Sequence, residues 1–468
     1  MSRITRDAPR EIIEDFAKEI RKRRTPTAKP SKTVINFRTD YSDGIEREVF
    51  QVPIGILRYR KDNGRIASDV ADFERKNRPL NEANQEDQEI LAQFLAEKDP
   101  EKTEALRSSI LHDGQRDPSI ITCDGFLING NRRKMVMDRL LHEEHPRNER
   151  FEFMKVVILP GEGEQGGPPT LLEVERIENR YQLQSDGKSE YYHFDKALSI
   201  RRKQHIGLSL RDQLLDDPRY AGADDAELKK AELQVERDYL RPLECVERYL
   251  KQFAREGQYR TVSAGTSDRE GRWQAFVDYS NTLSRVFQNQ AKLLEYEIEE
   301  GEIGAIEEAA FDIIRLRTIP DMQKVHGIMR DLPKYCRTKE GKKSILKIAD
   351  EVEHTLPTSE CLDKSGNPLK LEEVDAKWAG RNRQAIIHNV KKASLCHETQ
   401  KERETPLELM EAAYRKLTHE NMDLASIAPK DIDNAVKIAM KVKDKAYELA
   451  NEIYQIQKNW KSLQGGRQ

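Results

Sequence analysis

Leu106 to Leu141 reads LRSSILHDGQRDPSIITCDGFLINGNRRKMVMDRLL, and this stretch decides how the rest of the chain is read. Leu106 and Ile110 share one helical face, and His112-Asp113-Gly114 ends that helix on a residue that tolerates positive φ. Pro118 then opens an extended segment. Ser119-Ile120-Ile121-Thr122 suits a short buried strand, Asp124-Gly125 a hairpin turn, and Phe126-Leu127-Ile128 the returning strand. Asn129-Gly130-Asn131-Arg132-Arg133 follows, after which Met135, Val136, Arg139 and Leu140 recur at helical spacing. A glycine at a strand-to-helix junction lets a ligand approach the backbone, and the free N–H groups of a first helical turn attract an anion. Arg132 and Arg133 add charge and forked donors. The plain alternative is an ordinary Asn-Gly turn followed by a solvated basic face.

The order of these pieces resembles the N-terminal domain of the ParB/sulfiredoxin superfamily. The matching residues are Gly114-Gln115-Arg116-Asp117-Pro118, the Asp124-Gly125 hairpin, and Gly130-Asn131-Arg132-Arg133 in the place of a G-[EN]-R-R phosphate loop. Upstream, Val49 to Leu57 (VFQVPIGIL) is similar to the first strand, and Asn63-Gly64-Arg65 stands where relatives reach the nucleotide. Downstream, Glu173 to Asn179 (EVERIEN) resembles the helix whose Glu-Asn pair faces the phosphates and their metal. The resemblance spans roughly residues 45 to 255.

What it implies is an α+β fold: a ParB/sulfiredoxin-like domain with a small mixed sheet, followed by an all-α C-terminal half. It implies a nucleoside triphosphate, ATP or CTP with GTP also open, bound by Asn63, Arg65, Gly114, Gln115, Asn129, Gly130, Asn131, Arg132 and Arg133. Mg²⁺ is expected on Glu178 and Asn179, and slow metal-assisted hydrolysis is expected to draw on Glu178 and Asn131. The departures limit catalysis. Partitioning proteins commonly carry glutamate after the loop glycine, and sulfiredoxin carries its catalytic cysteine there, whereas this chain has Asn131. Cys123 sits one strand earlier, where a small buried thiol is the ordinary reading. Binding is therefore expected ahead of turnover. By analogy with relatives, the nucleotide would switch a DNA-associated partner, as in DNA-modification or phage-defence systems. The alternatives are a DNA-binding regulator without turnover and a ParB-like nuclease.

With 468 residues the chain is expected to form several domains: an N-terminal amphipathic helix and arm over 1–44, the nucleotide-binding domain over 45–200, a helix-turn-helix-like segment over 201–258, and a helical bundle over 273–468. Gly161 to Pro169 (GEGEQGGPP) and Arg260 to Arg272 read as joints. Charged residues at 35% against 7% aromatics favour long, surface-rich helices over a β-sandwich. The five cysteines, at 123, 245, 336, 361 and 396, form no C-x-x-C pair, which favours a reducing compartment and argues against structural zinc. No run approaches the length of a membrane span, and a cytoplasmic location is expected.

A formal net charge of −3 gives no global pull toward nucleic acid, so any DNA contact must come from local patches. Arg21 to Arg24 (RKRR) ends a helix with an Ile12, Ile13, Phe16, Ile20 stripe, and basic residues also simply suit a helix C-terminus. Arg201-Arg202-Lys203 precedes Gly207-Leu208-Ser209, which resembles the opening of a helix-turn-helix in ParB-like proteins, with Ser209 as N-cap. The next helix carries Arg237 and Arg241 as candidate DNA contacts, but also Glu232, Glu236 and Asp238, which phosphates would repel. A structural helical core is the competing reading.

From Trp273 onward helical spacing prevails, in a bundle suited to docking rather than chemistry. Its last helix repeats Ile432, Ala435, Ala439, Val442, Ala446, Leu449, Ile453, Ile456, Trp460 and Leu463 in steps of three and four, a heptad seam. The rest of the bundle is expected to cover it; a second chain or a partner is the alternative. His142-Glu143-Glu144-His145 lacks the spacing that seats two histidines on zinc, and His193 is expected to pack with aromatic neighbours rather than line a nucleotide pocket.

Overall fold

The computed structural model describes residues 10–143, 148–183, 192–220, 222–263, 269–418, 424 and 427–465. It divides into two compact units, Met1–His397 and Glu398–Gln468. The first begins with helix α1 (Glu14–Arg23) and strands β1 (Thr25–Pro26), β2 (Lys32–Val34) and β3 (Glu46–Pro53). Helices α2 (Ala67–Lys76), α3 (Gln85–Glu97) and α4 (Pro100–Asp113) lead to β4 (Ser119–Ile121), α5 (Asn131–His142), β5 (Phe153–Ile158) and α6 (Leu171–Leu183). All that follows among the described residues is helical: α7 (His193–His205), α8 (Leu210–Leu215), α9 (Asp225–Val235), α10 (Arg241–Gln252), α11 (Arg260–Ser263), α12 (Arg269–Thr282), α13 (Gln290–Glu295), α14 (Ile303–Leu316), α15 (Val325–Tyr335), α16 (Lys339–Glu351) and α17 (Leu371–Leu417). The second unit holds the end of α17 and α18 (Ile432–Gly465).

The sheet is small and mixed, as expected. Its order is β1-β3-β5-β4, with β2 also on β3; β3 runs antiparallel to β5, pairing Val49 with Val157, and β4 runs parallel to β5, pairing Ile120 with Val157. Alternation along β5 sends Val156 to one face and Val157 to the other. On the first face Val52, Ile121, Met154 and Val156 pack with Leu91, Ile110 and Leu140 from α3, α4 and α5. On the second, Val49, Ile120 and Val157 meet Val174 and Ile177 of α6. The phosphate-loop candidate thus leaves the sheet between two packed layers.

Two expected strands are shorter than the sequence suggested. The first strand ends at Pro53 and passes into a tight turn over Ile54–Ile56. The return from Asp124-Gly125 makes only isolated bridges, Phe126 to Arg58 and Leu127 to Ile121. The reason is local. The Thr122 N–H donates to the Phe126 carbonyl, the Thr122 hydroxyl donates to Asp124 Oδ1 at 2.6 Å, and Gly125 has φ +86°, which closes the turn too tightly for a ladder.

A large helical core runs from Phe194 and Ala197 of α7 through Tyr249, Phe276 and Phe311 to Trp378 and Ile386 of α17. The domain boundary expected between residues 200 and 201 therefore falls inside α7, a helix already built into that core. Residues 264–268, in the second expected joint, lie outside the described residues. A separate small cluster of Leu210, Leu214, Leu228 and Ala231 joins α8 to α9, with Ser209 capping α8 as its sequence suggested. No helix among the described residues is long and apolar enough to cross a membrane.

One buried acid makes the fold sensitive to pH. Asp72 on α2 is almost fully buried; it accepts the Arg260 N–H at 3.1 Å and meets Lys76 at 3.8 Å. Burial pushes its carboxyl up to about 6, and Arg260 and Lys76 relieve only part of this. A carboxyl raised in the fold binds its proton there before it does so in the unfolded chain, so its contribution to stability falls as pH rises from about 4 through 6. Asp72→Asn is therefore expected to exceed the wild type by about 1–3 kcal/mol near neutral pH, with the gap closing by about pH 4. Thermal melts at the two pH values check this, and a gap that stays constant would sink it.

Candidate functional site

Gly130 stands at the junction with φ +81°, and a Cβ there would lie 2.0 Å from Ser119 Oγ, so no other residue fits without displacement. Asn129 holds the loop to the sheet: its Oδ1 accepts the Ile120 N–H at 2.7 Å. α5 then starts at Asn131 with no side-chain cap, which leaves its first-turn N–H groups without an intrahelical acceptor.

Around this helix start the polar groups are incompletely used. Asn131 is 6% exposed, and its Oδ1 is buried without a hydrogen-bond partner. Arg132 donates from Nη2 to Thr103 Oγ1 at 3.0 Å, while its Nε is buried and unpartnered. Burial lowers the proton affinity of Arg132, and neighbouring Arg65 lowers it further. Arg65 approaches Asp99 at 3.9 Å, and the Tyr192 hydroxyl donates to the same carboxylate at 2.6 Å. Two guanidinium groups therefore crowd an uncapped helix N-terminus.

The other expected nucleotide contacts are divided. Asn63 caps the Gly64–Ile66 turn, accepting the Arg65 N–H at 2.9 Å, and the Gly64 N–H donates to Glu178 Oε1 at 3.0 Å. That chain links the Asn63–Arg65 segment to α6. Arg133, by contrast, turns back to the Asp117 carbonyl at 2.6 Å and Ser119 Oγ at 3.2 Å. Gln115 ties down the β5 edge, donating to the Asp117 and Lys155 carbonyls and accepting the Lys155 N–H at 2.7 Å. Gly114, at φ +72°, ends α4. These three shape the loop from behind.

The Mg²⁺ assignment to Glu178 and Asn179 does not fit their surroundings. Arg60 donates to Glu178 at 3.3 Å and to Glu175 at 2.6 Å, and Lys203 Nζ donates to Asn179 Oδ1 at 2.9 Å. Arg202 closes the cluster on Glu175 and Asp62. Both Glu178 oxygens and the Asn179 oxygen are thus already acceptors, among two buried cations, Arg60 and Lys203, and the part-buried Arg202, which oppose a divalent ion. Burial works against the charge of Arg60, yet Glu175 and Glu178 override it and raise its proton affinity. Burial lowers that of Lys203. Among the described residues no group of three or more His, Cys, Asp or Glu side chains is placed to hold a metal ion; His145 lies outside them.

The same cluster corrects the basic patch. Arg202 and Lys203 point into the protein, and Arg201 is held by Glu247 at 2.6 Å and by the Tyr259 hydroxyl. Arg201 and Arg202 are thus each paired with carboxylates and Lys203 with Asn179, so the triplet does not present an open basic patch. Arg237 pairs with Asp238 at 2.8 Å and Arg241 with Glu236 at 3.5 Å, and α9 opens on Asp225 and Glu227. Mixed charge of this kind is a poor phosphate surface. Sequence reasoning missed Arg60 and Glu175, although the i,i+3 spacing of Glu175 and Glu178 opposite an Arg-Arg-Lys run was a usable signal.

Two remaining candidates resolve simply. His193 stacks on Trp273, with ring centroids 6.2 Å apart, in an aromatic cluster with Tyr239. Cys123 lines a cavity of about 240 Å³ with Ile12, Arg21, Arg24, Gly161 and Glu164, none of them from the loop. Burial and Asp124 push its thiol up to about 11, which keeps it protonated and unreactive. Compared with protein-family models, with curated proteins and with solved structures, the chain has no match.

Proposed function

We propose that the protein binds a nucleoside triphosphate, ATP or CTP, with its phosphates at the start of α5. The backbone N–H groups of Asn131 to Arg133 would donate to phosphate oxygens, and Arg132 with Arg65 would neutralise their charge. The observation that carries this reading is the buried, unpartnered donor Arg132 Nε beside an uncapped helix N-terminus that only glycine can precede. Buried polar atoms without partners are uncommon in native proteins and mark places where a ligand completes the structure.

Metal-assisted turnover on Glu178 and Asn179 forms no part of this proposal, because Arg60 and Lys203 already occupy their oxygens. Nucleotide occupancy would instead act as a switch. Asp99, Tyr192 and Thr103 connect Arg65 and Arg132 to α4 and α7, so neutralising the two arginines would be felt in helices beyond the loop. A DNA-associated partner of the kind implied by the ParB resemblance would read that change.

The test is a thermal-shift panel of ATP, CTP, GTP and UTP, each with and without Mg²⁺. At a hundredfold excess over Kd a ligand stabilises the folded state by about 2.7 kcal/mol, readily seen as a rise in Tm. At least one nucleotide is expected to give this rise, and Arg132→Ala is expected to lose it. No shift with any nucleotide would overturn the reading.

A further inference from the structure

Within the second unit the heptad seam of α18 is left exposed. Val442, Ile453, Ile456 and Trp460 are between 41% and 64% exposed. The helix runs for 34 residues, about 50 Å, which is a long apolar stripe to leave in water.

The seam is sorted by size. Its N-terminal half carries Ala435, Ala439 and Ala446, and its C-terminal half Leu449, Ile453, Ile456 and Trp460. A parallel pair of such helices would stack alanine on alanine, leaving gaps, and tryptophan on tryptophan, forcing crowding. An antiparallel pair with Ala446 opposite Leu449 removes both problems. Its layers become Ala435 on Trp460, Ala439 on Ile456, Val442 on Ile453 and Ala446 on Leu449, each with a smaller residue facing a larger one.

Charge selects the same arrangement. In that register Lys445 falls beside Glu452 of the second helix, and two-fold symmetry makes the contact twice. A parallel pair would set Lys445 beside Ala450 and gain no ion pair. In the single chain Lys445 meets Glu448 of its own helix at 3.0 Å with both side chains exposed, a weak contact that does not compete strongly. We infer that α18 pairs antiparallel with α18 of a second copy, making the protein a homodimer.

Light scattering on the full chain tests this. The wild type is expected at twice the chain mass, and Ile456→Asp at the mass of one chain. Lys445→Glu and Glu452→Lys, both on the exposed flank, are each expected to weaken the dimer about tenfold by turning two attractions into two repulsions. Mixing the two variants, or combining both changes in one chain, is expected to restore it. A wild type of single-chain mass overturns the proposal. So does a dimer indifferent to both charge changes, which would place Lys445 away from Glu452.

Discussion

Asp375→Asn is expected to destabilise the larger unit by about 3–5 kcal/mol, read as a lower urea midpoint. Asp375 Oδ1 accepts Arg255 Nη2 at 2.8 Å and Arg315 Nη2 at 3.0 Å, and both guanidinium groups are almost wholly buried. Arg272 is buried close enough to feel the same carboxylate, with its Nε and Nη2 unpartnered. Burial opposes the charge on Asp375, but Arg255 and Arg315 hold its carboxyl below the usual range. Arginine cannot shed its proton to escape an unpaired burial. Arg315 cannot swing out either, because its guanidinium lies against the rings of Phe253 and Trp378, 4.4 and 4.1 Å from their centroids. Removing this charge takes away the carboxylate that the two buried guanidinium groups share. A loss below about 1 kcal/mol would show that solvent reaches the cluster freely.

Gly130→Ala is expected to cost about 2–5 kcal/mol and to abolish nucleotide-dependent stabilisation. Two separate penalties combine. A non-glycine residue at φ +81° costs about 1–2 kcal/mol. The added Cβ, 2.0 Å from Ser119 Oγ and 2.9 Å from its Cβ, demands movement in a fully buried strand, typically about 1–3 kcal/mol. The two parts separate in a double-mutant cycle. Ser119→Gly in the Gly130→Ala background is expected to relieve the steric part alone, so rescue should be partial. Full rescue would mean that backbone strain is negligible there. No rescue would place the clash elsewhere.

The residues that announced themselves in the sequence are those whose role is local. Gly114 and Gly130 adopt positive φ, Asp124-Gly125 turns, Ser209 caps α8, and α5 begins after Gly130, all set by short-range sterics and capping chemistry. The length of the strands was less legible. Whether Phe126 to Ile128 forms a ladder depends on a turn that Thr122 and Asp124 tighten by side-chain hydrogen bonds.

Charge was misread for a related reason. Arg201-Arg202-Lys203 looks like a surface patch in one dimension, because sequence alone does not say which acids face it. Glu175 lies 27 positions before Arg202, and Arg60 lies 115 before Glu175, yet the three meet in one buried cluster. The same cluster takes the oxygens of Glu178 and Asn179 out of reach of a metal.

By itself, then, the sequence determined the α+β order of elements, the glycine junction ahead of α5 and the heptad seam of α18, since each follows from dihedral preference or periodicity within a few residues. Tertiary structure alone decided which charges are neutralised inside, that Arg132 rather than Arg133 stays partly unsatisfied, and that the seam lies exposed within its own unit. These outcomes depend on contacts between residues far apart in the chain, where burial makes a charge costly until a partner from another element meets it.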